Sequence, residues 1–353
     1  MYLRSLTLQN FRSYSQANFS FSPVVNLILG PNGSGKSNLL EAIYLLSVGK
    51  SFRSVSLPKL ISWAQPFSSI RAKLFNSRDN PALELQLIKN PDSFTVSRKY
   101  SIDQAQKTKK IFSGVLKTVV FSPQDIRLVT GSPSRRREFL DSVFSPIEWR
   151  YSEAICQYHK ALVHRNELLD QVRQGKNSAA ELFYWDQSLA KNDDIIHSHR
   201  SNFVSFVNRF FALHTHPEIK KLSLNYHPSL LTLTVLKKNY SRDLAKGYTQ
   251  AGNHRDDFSF DSLIFPGLDK NLANWGSRGQ QRLSVLALRL AQIAFIKKQQ
   301  NQTPVLLLDD IFSELDSGHQ KLVIDICQNY QTIFTSADPN TASILPDAKI
   351  TRL

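Results

Sequence analysis

The chain has 353 residues, long enough for a full core and about two domains or lobes, and its 41% hydrophobic content excludes broad disorder. Lys and Arg outnumber Asp and Glu by 44 to 29, a formal charge of +15, which favours polyanionic partners, nucleic acid before an acidic membrane surface. No apolar run reaches the ~18 residues of a spanning helix, and Cys156 and Cys327 stand outside any metal-ligand spacing, so a reduced, cytoplasmic protein without membrane, disulfide framework or zinc site is expected.

Residues 1–29 read as two or three strands. The first, Met1 to Leu8, alternates as a strand and lacks the apolar stretch and cleavage site of a signal peptide. Asn10-Phe11-Arg12 closes it, with Arg12 either facing a nucleotide or an ordinary surface arginine. The apolar strand Val24 to Leu29 then runs into Gly30-Pro31-Asn32-Gly33-Ser34-Gly35-Lys36-Ser37, which fits G-x-x-x-x-G-K-[ST] at every fixed position. Its glycines let the backbone curl with N–H groups pointing inward around a triphosphate. Lys36 would reach the β- and γ-phosphates, and the Ser37 hydroxyl would ligate Mg²⁺. ATP with Mg²⁺ is therefore the expected ligand. The helix that follows places Leu39, Leu40, Ile43, Leu46 and Ser47 on one face, and Gly49 is placed to end it. Lys50-Ser51-Phe52-Arg53 reads as a basic loop beside the nucleotide end.

From about 55 to 121 the pattern is of short strands, at Ile70–Leu74, Leu83–Leu87 and Val119–Phe121. The Lys107-Lys109-Lys110 cluster reads as a solvated loop. Ser132-Pro133 begins a helix with Arg135, Arg136 and Arg137 in or near its first turn, where three cations oppose the positive end of the helix dipole. Nearby carboxylates such as Glu138 and Asp141 would offset them, or a nucleic-acid phosphate would; the three arginines are the candidate DNA contacts. Two long helical patterns follow, about 146–173 and 179–213, joined by Gly175-Lys176-Asn177-Ser178. They predict an antiparallel helical arm ~40–50 Å long. Strands are expected at Leu222–Tyr226 and Leu230–Leu236, and a short helix at Tyr240–Lys246. The quartet His254-Arg255-Asp256-Asp257 is adjacent along the chain rather than a helical turn apart, which favours an ion-paired corner over a metal site.

Val305 to Asp310 is an apolar run ending in two acids, the mark of a buried strand in a parallel sheet. Asp309 is placed to hold Mg²⁺ opposite Ser37, and Asp310 to orient and polarise an attacking water. Lys36 and Asp310 are the catalytic candidates. Thirty-two positions before Asp309, Ser277-Arg278-Gly279-Gln280 opens a helix and makes a second anion site.

This serine-x-glycine-glutamine resembles the signature motif of the ATP-binding-cassette superfamily, and Glu314-Leu315-Asp316 resembles its D-loop. In that superfamily the signature serves the P-loop of a second subunit. The resemblance thus implies an ATP-dependent, head-to-tail homodimer in which Ser277, Gly279, Gln280 and Asp316 complete the partner's nucleotide site. The 240 positions between Ser37 and Ser277 exceed what a transporter ATPase needs and fall short of a chromosome-maintenance coiled coil. A compact head with a short arm resembles the RecF family of bacterial repair proteins. Matching segments are Leu8–Arg12, Asn32–Asn38, Leu40–Tyr44, Gly49–Arg53, Gly131–Pro133, Arg136-Arg137, Phe139–Asp141, His254–Asp257, Ser277–Arg282 and Ser313–Asp316. Gln124, Asn253 and Thr335-Ser336-Ala337 depart from the family's usual residues.

The resemblance implies an α/β fold: a P-loop ATP-binding-cassette-type ATPase head of mixed sheet and flanking helices, with a second lobe bearing the antiparallel arm. It places ATPase-lobe segments at 1–121 and 251–353 around an arm and second lobe at 122–250. It also implies DNA binding at single-strand gaps or junctions, and a weak DNA-dependent ATPase used as a switch. RecR, RecO and RecA would be its pathway partners in recombinational repair, replication and the SOS response. The alternatives are a chromosome-organising head, a transporter energiser and a nuclease-coupled ATPase.

Overall fold

Period-two alternation over the first twenty residues folds into a hairpin of β1 (Tyr2–Phe11) and β2 (Tyr14–Ser20). After β3 (Val25–Leu29) the chain passes through the glycine-rich loop into α1 (Lys36–Val48). It then adds β4 (Phe67–Phe75), β5 (Ala82–Lys89), β6 (Val96–Ile102) and β7 (Ala105–Lys107) to the hairpin, giving an antiparallel sheet of order β2-β1-β4-β5-β6-β7. Leu3, Leu6, Leu8, Ile70, Ala72, Leu74, Leu83, Leu85 and Leu87 fill its inner face. The computed structural model describes residues 1–53, 56–76, 79–91, 95–263, 270–314 and 317–353. Lys107 closes β7, and Lys109–Phe112 form a short helix, so that cluster is not the loop expected from its composition.

The expected single apolar face of α1 is also too narrow. Eleven of its thirteen residues are buried, because the helix packs against β1 and β5 on one side and β8 (Thr118–Phe121), β11 (Val305–Asp309) and β12 (Thr332–Ser336) on the other. Gly49 ends it in the left-handed conformation, φ 71°.

Residues Ile126–Ala291 form a second unit. It carries α2 (Pro133–Phe144), α3 (Trp149–Arg173), α4 (Leu182–Leu213), β9 (Leu222–His227), α5 (Leu233–Lys246), β10 (Asp257–Ser262) and most of α6 (Arg278–Gln300). Arg165 meets Asp186 while Tyr151 meets Arg200, so α3 and α4 pair antiparallel, as the polar connection predicted. Glu148 caps α3 at Trp149, a turn later than expected, and a Ser178–Glu181 capping box opens the return. Leu230–Leu236 is not a strand. The Thr232 hydroxyl accepts from the Val235 N–H at 3.2 Å and starts α5 there. The partner of β9 is β10, antiparallel to it.

After α6 the chain supplies β11, α7 (Ser317–Cys327), β12 and β13 (Lys349–Arg352). With β3 and β8 they form a parallel sheet of order β13-β3-β12-β11-β8. Its three inner strands and the edge strand β8 are buried end to end, as a sheet covered on both faces requires. Two buried amides stitch its edge region together. Gln331 accepts from the Leu3 N–H at 2.7 Å and donates to the Leu3 and Ser22 carbonyls, while Asn26 accepts from the Ser22 N–H at 2.6 Å. Residues Met1–Asp125 and Gln292–Leu353 make up this first unit. The segment 251–291, expected with the ATPase lobe, therefore packs within the second unit.

Candidate nucleotide site

The loop between β3 and α1 needs its glycines for two reasons. Gly33 and Gly35 take φ 85° and 103°, and a Cβ on Gly35 would lie 2.9 Å from the Tyr14 hydroxyl. A Cβ on Gly30 would press within 2.7 Å of Ser34 Oγ and fill the curl. Lys36, 7% exposed, folds its ammonium into that curl and donates to the carbonyls of Gly30 (2.7 Å) and Pro31 (2.9 Å). Ser34 Oγ is buried there without a hydrogen-bond partner among the described residues. A hollow lined by a cation, an unpartnered hydroxyl and backbone without side chains fits the phosphates of a nucleotide.

The sheet order brings the two acids to this loop. β12 lies between β3 and β11, so the end of β11 faces the start of α1 across one strand. Ser37 Oγ donates to Asp309 Oδ1 at 2.8 Å. Thr335, on the intervening β12, donates to the same oxygen at 2.8 Å and accepts from the Asp310 N–H at 3.0 Å. That bond and a second from the Asp310 N–H to the Thr335 carbonyl, 3.2 Å, hold Asp310 at φ 49°, a left-handed conformation rare for aspartate. The structure thus links Ser37, Asp309 and Asp310, with Lys36 next to Ser37 in the chain. Thr335 joins them, although its segment reads as a weakened version of the family's. A hard-cation donor set is present in Ser37 Oγ and the Asp309 carboxylate, which fits Mg²⁺.

The turn between β1 and β2 forms one wall. Tyr14 donates to the Gly35 carbonyl at 3.1 Å, and burial pushes its pKa up to about 12, so it remains a donor at neutral pH. Arg12 does not face the loop. Its Nε and Nη2 bind both oxygens of the fully buried Glu41, at 2.9 and 2.8 Å, which supplies the partner that a carboxylate inside α1 requires. Ser51 also donates to Glu41, and Arg53 reaches Asn38 at 3.1 Å. The basic loop after α1 is therefore folded back along the helix. Glu41, Tyr14 and Thr335 were missed as site residues. A single acid inside an otherwise apolar helix was the one available signal.

In the second unit, Ser277 and Gln280 form a reciprocal cap on α6. Ser277 Oγ accepts from the Gln280 N–H at 3.3 Å, and Gln280 Oε1 accepts from the Ser277 N–H at 2.9 Å. Among the described residues a Cβ on Gly279 would meet nothing closer than Ser277 Oγ at 3.9 Å, so their packing does not demand that glycine. Asp316 lies outside the described residues. Among the candidate DNA contacts, Arg136 is 9% exposed and grips both oxygens of Asp257, at 2.6 and 2.9 Å, and the Gly131 carbonyl. Arg137 donates to the Asp256 carbonyl, and Arg135 is half-buried. An ion-paired corner thus engages Arg136 and Arg137. The same corner places Asp256 on the buried Arg200 at 2.7 Å. Asn253, where the family usually has proline, donates its N–H to Asp193 at 2.8 Å, a bond proline cannot make.

Comparison with known proteins agrees with this layout. The family model described as "RecF/RecN/SMC N terminal domain" matches residues 2–346. The "DNA replication and repair protein RecF" of Clostridium acetobutylicum is 34% identical over 349 residues, spanning 95% of this chain and 92% of that protein. The chain belongs to the RecF family. The RecF protein of Bacillus cereus is likewise 34% identical and spans 99% of this chain and 96% of its own. A structure of the recombination mediator RecF–ATPrS from the RecFOR pathway superposes with a TM-score of 0.87 at 28% identity, covering all of this chain and 96% of that one. The Smc head domain of Pyrococcus furiosus bound to ScpA shares the fold alone, with a TM-score of 0.55 at 17% identity. The fold is that of a RecF and SMC-type ATPase head with a helical arm.

Proposed function

We propose that this RecF-family chain is an ATP-gated DNA-binding protein of recombinational repair and replication. It binds ATP with Mg²⁺, closes as a head-to-tail homodimer on DNA at single-strand gaps or junctions, and opens after slow hydrolysis. With RecR and RecO it then helps load RecA and supports SOS induction. The observation that carries the nucleotide part is the connected set Ser37, Asp309, Thr335 and Asp310 beside a loop whose cation and unpartnered hydroxyl face inward. Lys36 and the loop N–H groups would hold the phosphates. Ser37 and Asp309 would hold Mg²⁺, whose contribution is to neutralise phosphate charge. Asp310 would orient and polarise a water, and Thr335 fixes its backbone.

The bare backbone at Gly279 supports the dimer. Among the described residues a Cβ there would meet only Ser277 Oγ, at 3.9 Å, at the capped N-terminus of α6, where Ser277, Gly279 and Gln280 would meet the partner's nucleotide. The basic chain supports the DNA part, together with the RecF relatives named for DNA replication and repair. The deciding experiment measures binding to gapped duplex with and without ATP across a salt series. Affinity should rise with ATP and fall steeply with salt as phosphate contacts release counterions. ATP-independent binding, or a flat salt response, refutes the reading.

A further inference from the structure

The far end of α1 has a feature that neither the nucleotide site nor the core accounts for. Gly49, left-handed at φ 71°, donates to the Leu45 carbonyl and accepts from Arg98 Nη1 at 3.1 Å. A Cβ built on Gly49 would lie 3.1 Å from Lys109 Cε, 3.3 Å from the Tyr100 hydroxyl and 3.8 Å from Lys109 Nζ, so these groups converge on one point. Lys50 is the next residue and exposed. Tyr100 is 6% exposed, and its hydroxyl, beside the Arg98 guanidinium, donates to no acceptor among the described residues. The buried hydroxyls of Ser47 and Ser113 are unpartnered among the described residues, and the chain there is close-packed, with the Gly114 N–H donating to the Ser47 carbonyl at 3.3 Å.

Lys50, Arg98 and Lys109 make no ion pair among the described residues. Burial, then the like charges of Lys50 and Arg98, hold the Lys109 pKa below the usual lysine value, and Arg98 acts on Tyr100 in turn. A helix C-terminus attracts a cation, and Arg98 on the Gly49 carbonyl already meets that need. Lys50, Lys109 and a buried donor without an acceptor exceed it. Like charges brought together around an unsatisfied hydroxyl cost free energy that an oxyanion would recover.

We propose that the C-terminal end of α1 is a phosphate-binding site, in which Lys50, Arg98 and Lys109 neutralise the oxyanion and the Tyr100 hydroxyl donates to it. Burial raises the tyrosine's pKa and keeps that proton in place. Thirteen helical residues, ~20 Å, separate this end from Lys36, so the ligand is not the nucleotide's triphosphate. The phosphate comes either from a nucleic-acid backbone, which rests on the DNA reading above, or from free phosphate, which does not.

The test uses the full chain carrying Lys36→Ala, which removes phosphate binding at the P-loop, and compares it with Arg98→Ala/Lys109→Ala, Lys109→Arg and Tyr100→Phe in the same background. Inorganic phosphate, titrated against chloride at constant ionic strength, should raise the melting temperature of the parent and of Lys109→Arg. The double variant and Tyr100→Phe should weaken its apparent affinity by about tenfold or more, the worth of charge-assisted hydrogen bonds. Equal melting in chloride alone shows that each variant is folded. In the otherwise native chain, the double variant should also lower the salt slope of gapped-duplex binding by about two if the backbone is the source. An unchanged slope with lost phosphate protection assigns the site to free phosphate. Phosphate protection equal in parent and variants overturns the proposal. A native chain that binds no DNA at all sinks the DNA reading and leaves the phosphate result to decide this site.

Discussion

One hydroxyl, Thr335 Oγ1, sets two acids of different tasks. It donates to Asp309, the acid proposed for the metal, and accepts from the backbone of Asp310, the acid proposed for water. Thr335→Val keeps the shape and removes both bonds. We expect turnover of ATP to fall about tenfold or more while nucleotide affinity changes little, because the loop and Lys36 are untouched, and stability to drop by about 1–3 kcal/mol. Steady-state kinetics with nucleotide titration separates the two, and a loss of affinity equal to the loss of rate would count against this role. Lys36, Ser37, Asp309 and Asp310 were legible in the sequence because a fixed spacing and an apolar run ending in acids each carry a physical meaning. Thr335 was not. Its partners lie 26 and 25 positions away, and only the placing of β12 between β3 and β11 brings it to them.

At the scale of elements, the second unit is held by buried charge as well as by its apolar stripe. Arg200 on α4, 1% exposed, joins Asp141 on α2 at 2.8 Å, Asp256 before β10 at 2.7 Å and the Tyr151 hydroxyl of α3 at 3.0 Å. Arg200→Ala would leave the buried Asp256 without its cation, held only by the Ser229 N–H and the Tyr226 hydroxyl, so a loss of about 3–5 kcal/mol is expected in denaturant unfolding. A loss under about 1 kcal/mol would mean that the carboxylates find other partners. His254 sits in the same corner, bonded to the Tyr158 hydroxyl at 2.7 Å, and burial holds its pKa down to about 4. Its folded pKa lies below the unfolded value of about 6.5, so the unfolded chain takes up a proton first. The stability from neutral His254 is complete above about pH 6.5 and is lost as pH falls towards about 4. His254→Gln should flatten the melting curve against pH in that window, and an equally steep curve in the variant removes His254 from the account. The continuous apolar strands and the long arm were readable because burial on both faces and 3.6-residue spacing leave clear patterns. β10 was not, since its alternation begins with the charged quartet, and Leu230–Leu236 hid a helix whose start depends on one threonine cap.

At the scale of the whole molecule, the P-loop and the signature segment belong to different compact units of one chain, and nothing among the described residues requires a bare Gly279. If each nucleotide site takes its P-loop from one copy and its signature from another, two different defects on separate chains should complement. Lys36→Ala spoils every P-loop it carries, and Ser277→Arg blocks every signature it carries. Each variant alone then has no intact site. In an equimolar mixture, half of the dimers pair one of each. Every such dimer has one site built from the sound P-loop of the Ser277→Arg chain and the sound signature of the Lys36→Ala chain. Its second site carries both defects. Mixing two inactive preparations should therefore restore up to about a quarter of the native ATP turnover, with up to about half of the native ATP-dependent dimer fraction. A site completed within a single chain gives no such gain, because both kinds of chain would remain defective whatever their partner. Activity that stays at background at every mixing ratio would exclude the head-to-tail arrangement while leaving the geometry of Lys36, Ser37, Asp309 and Asp310 intact.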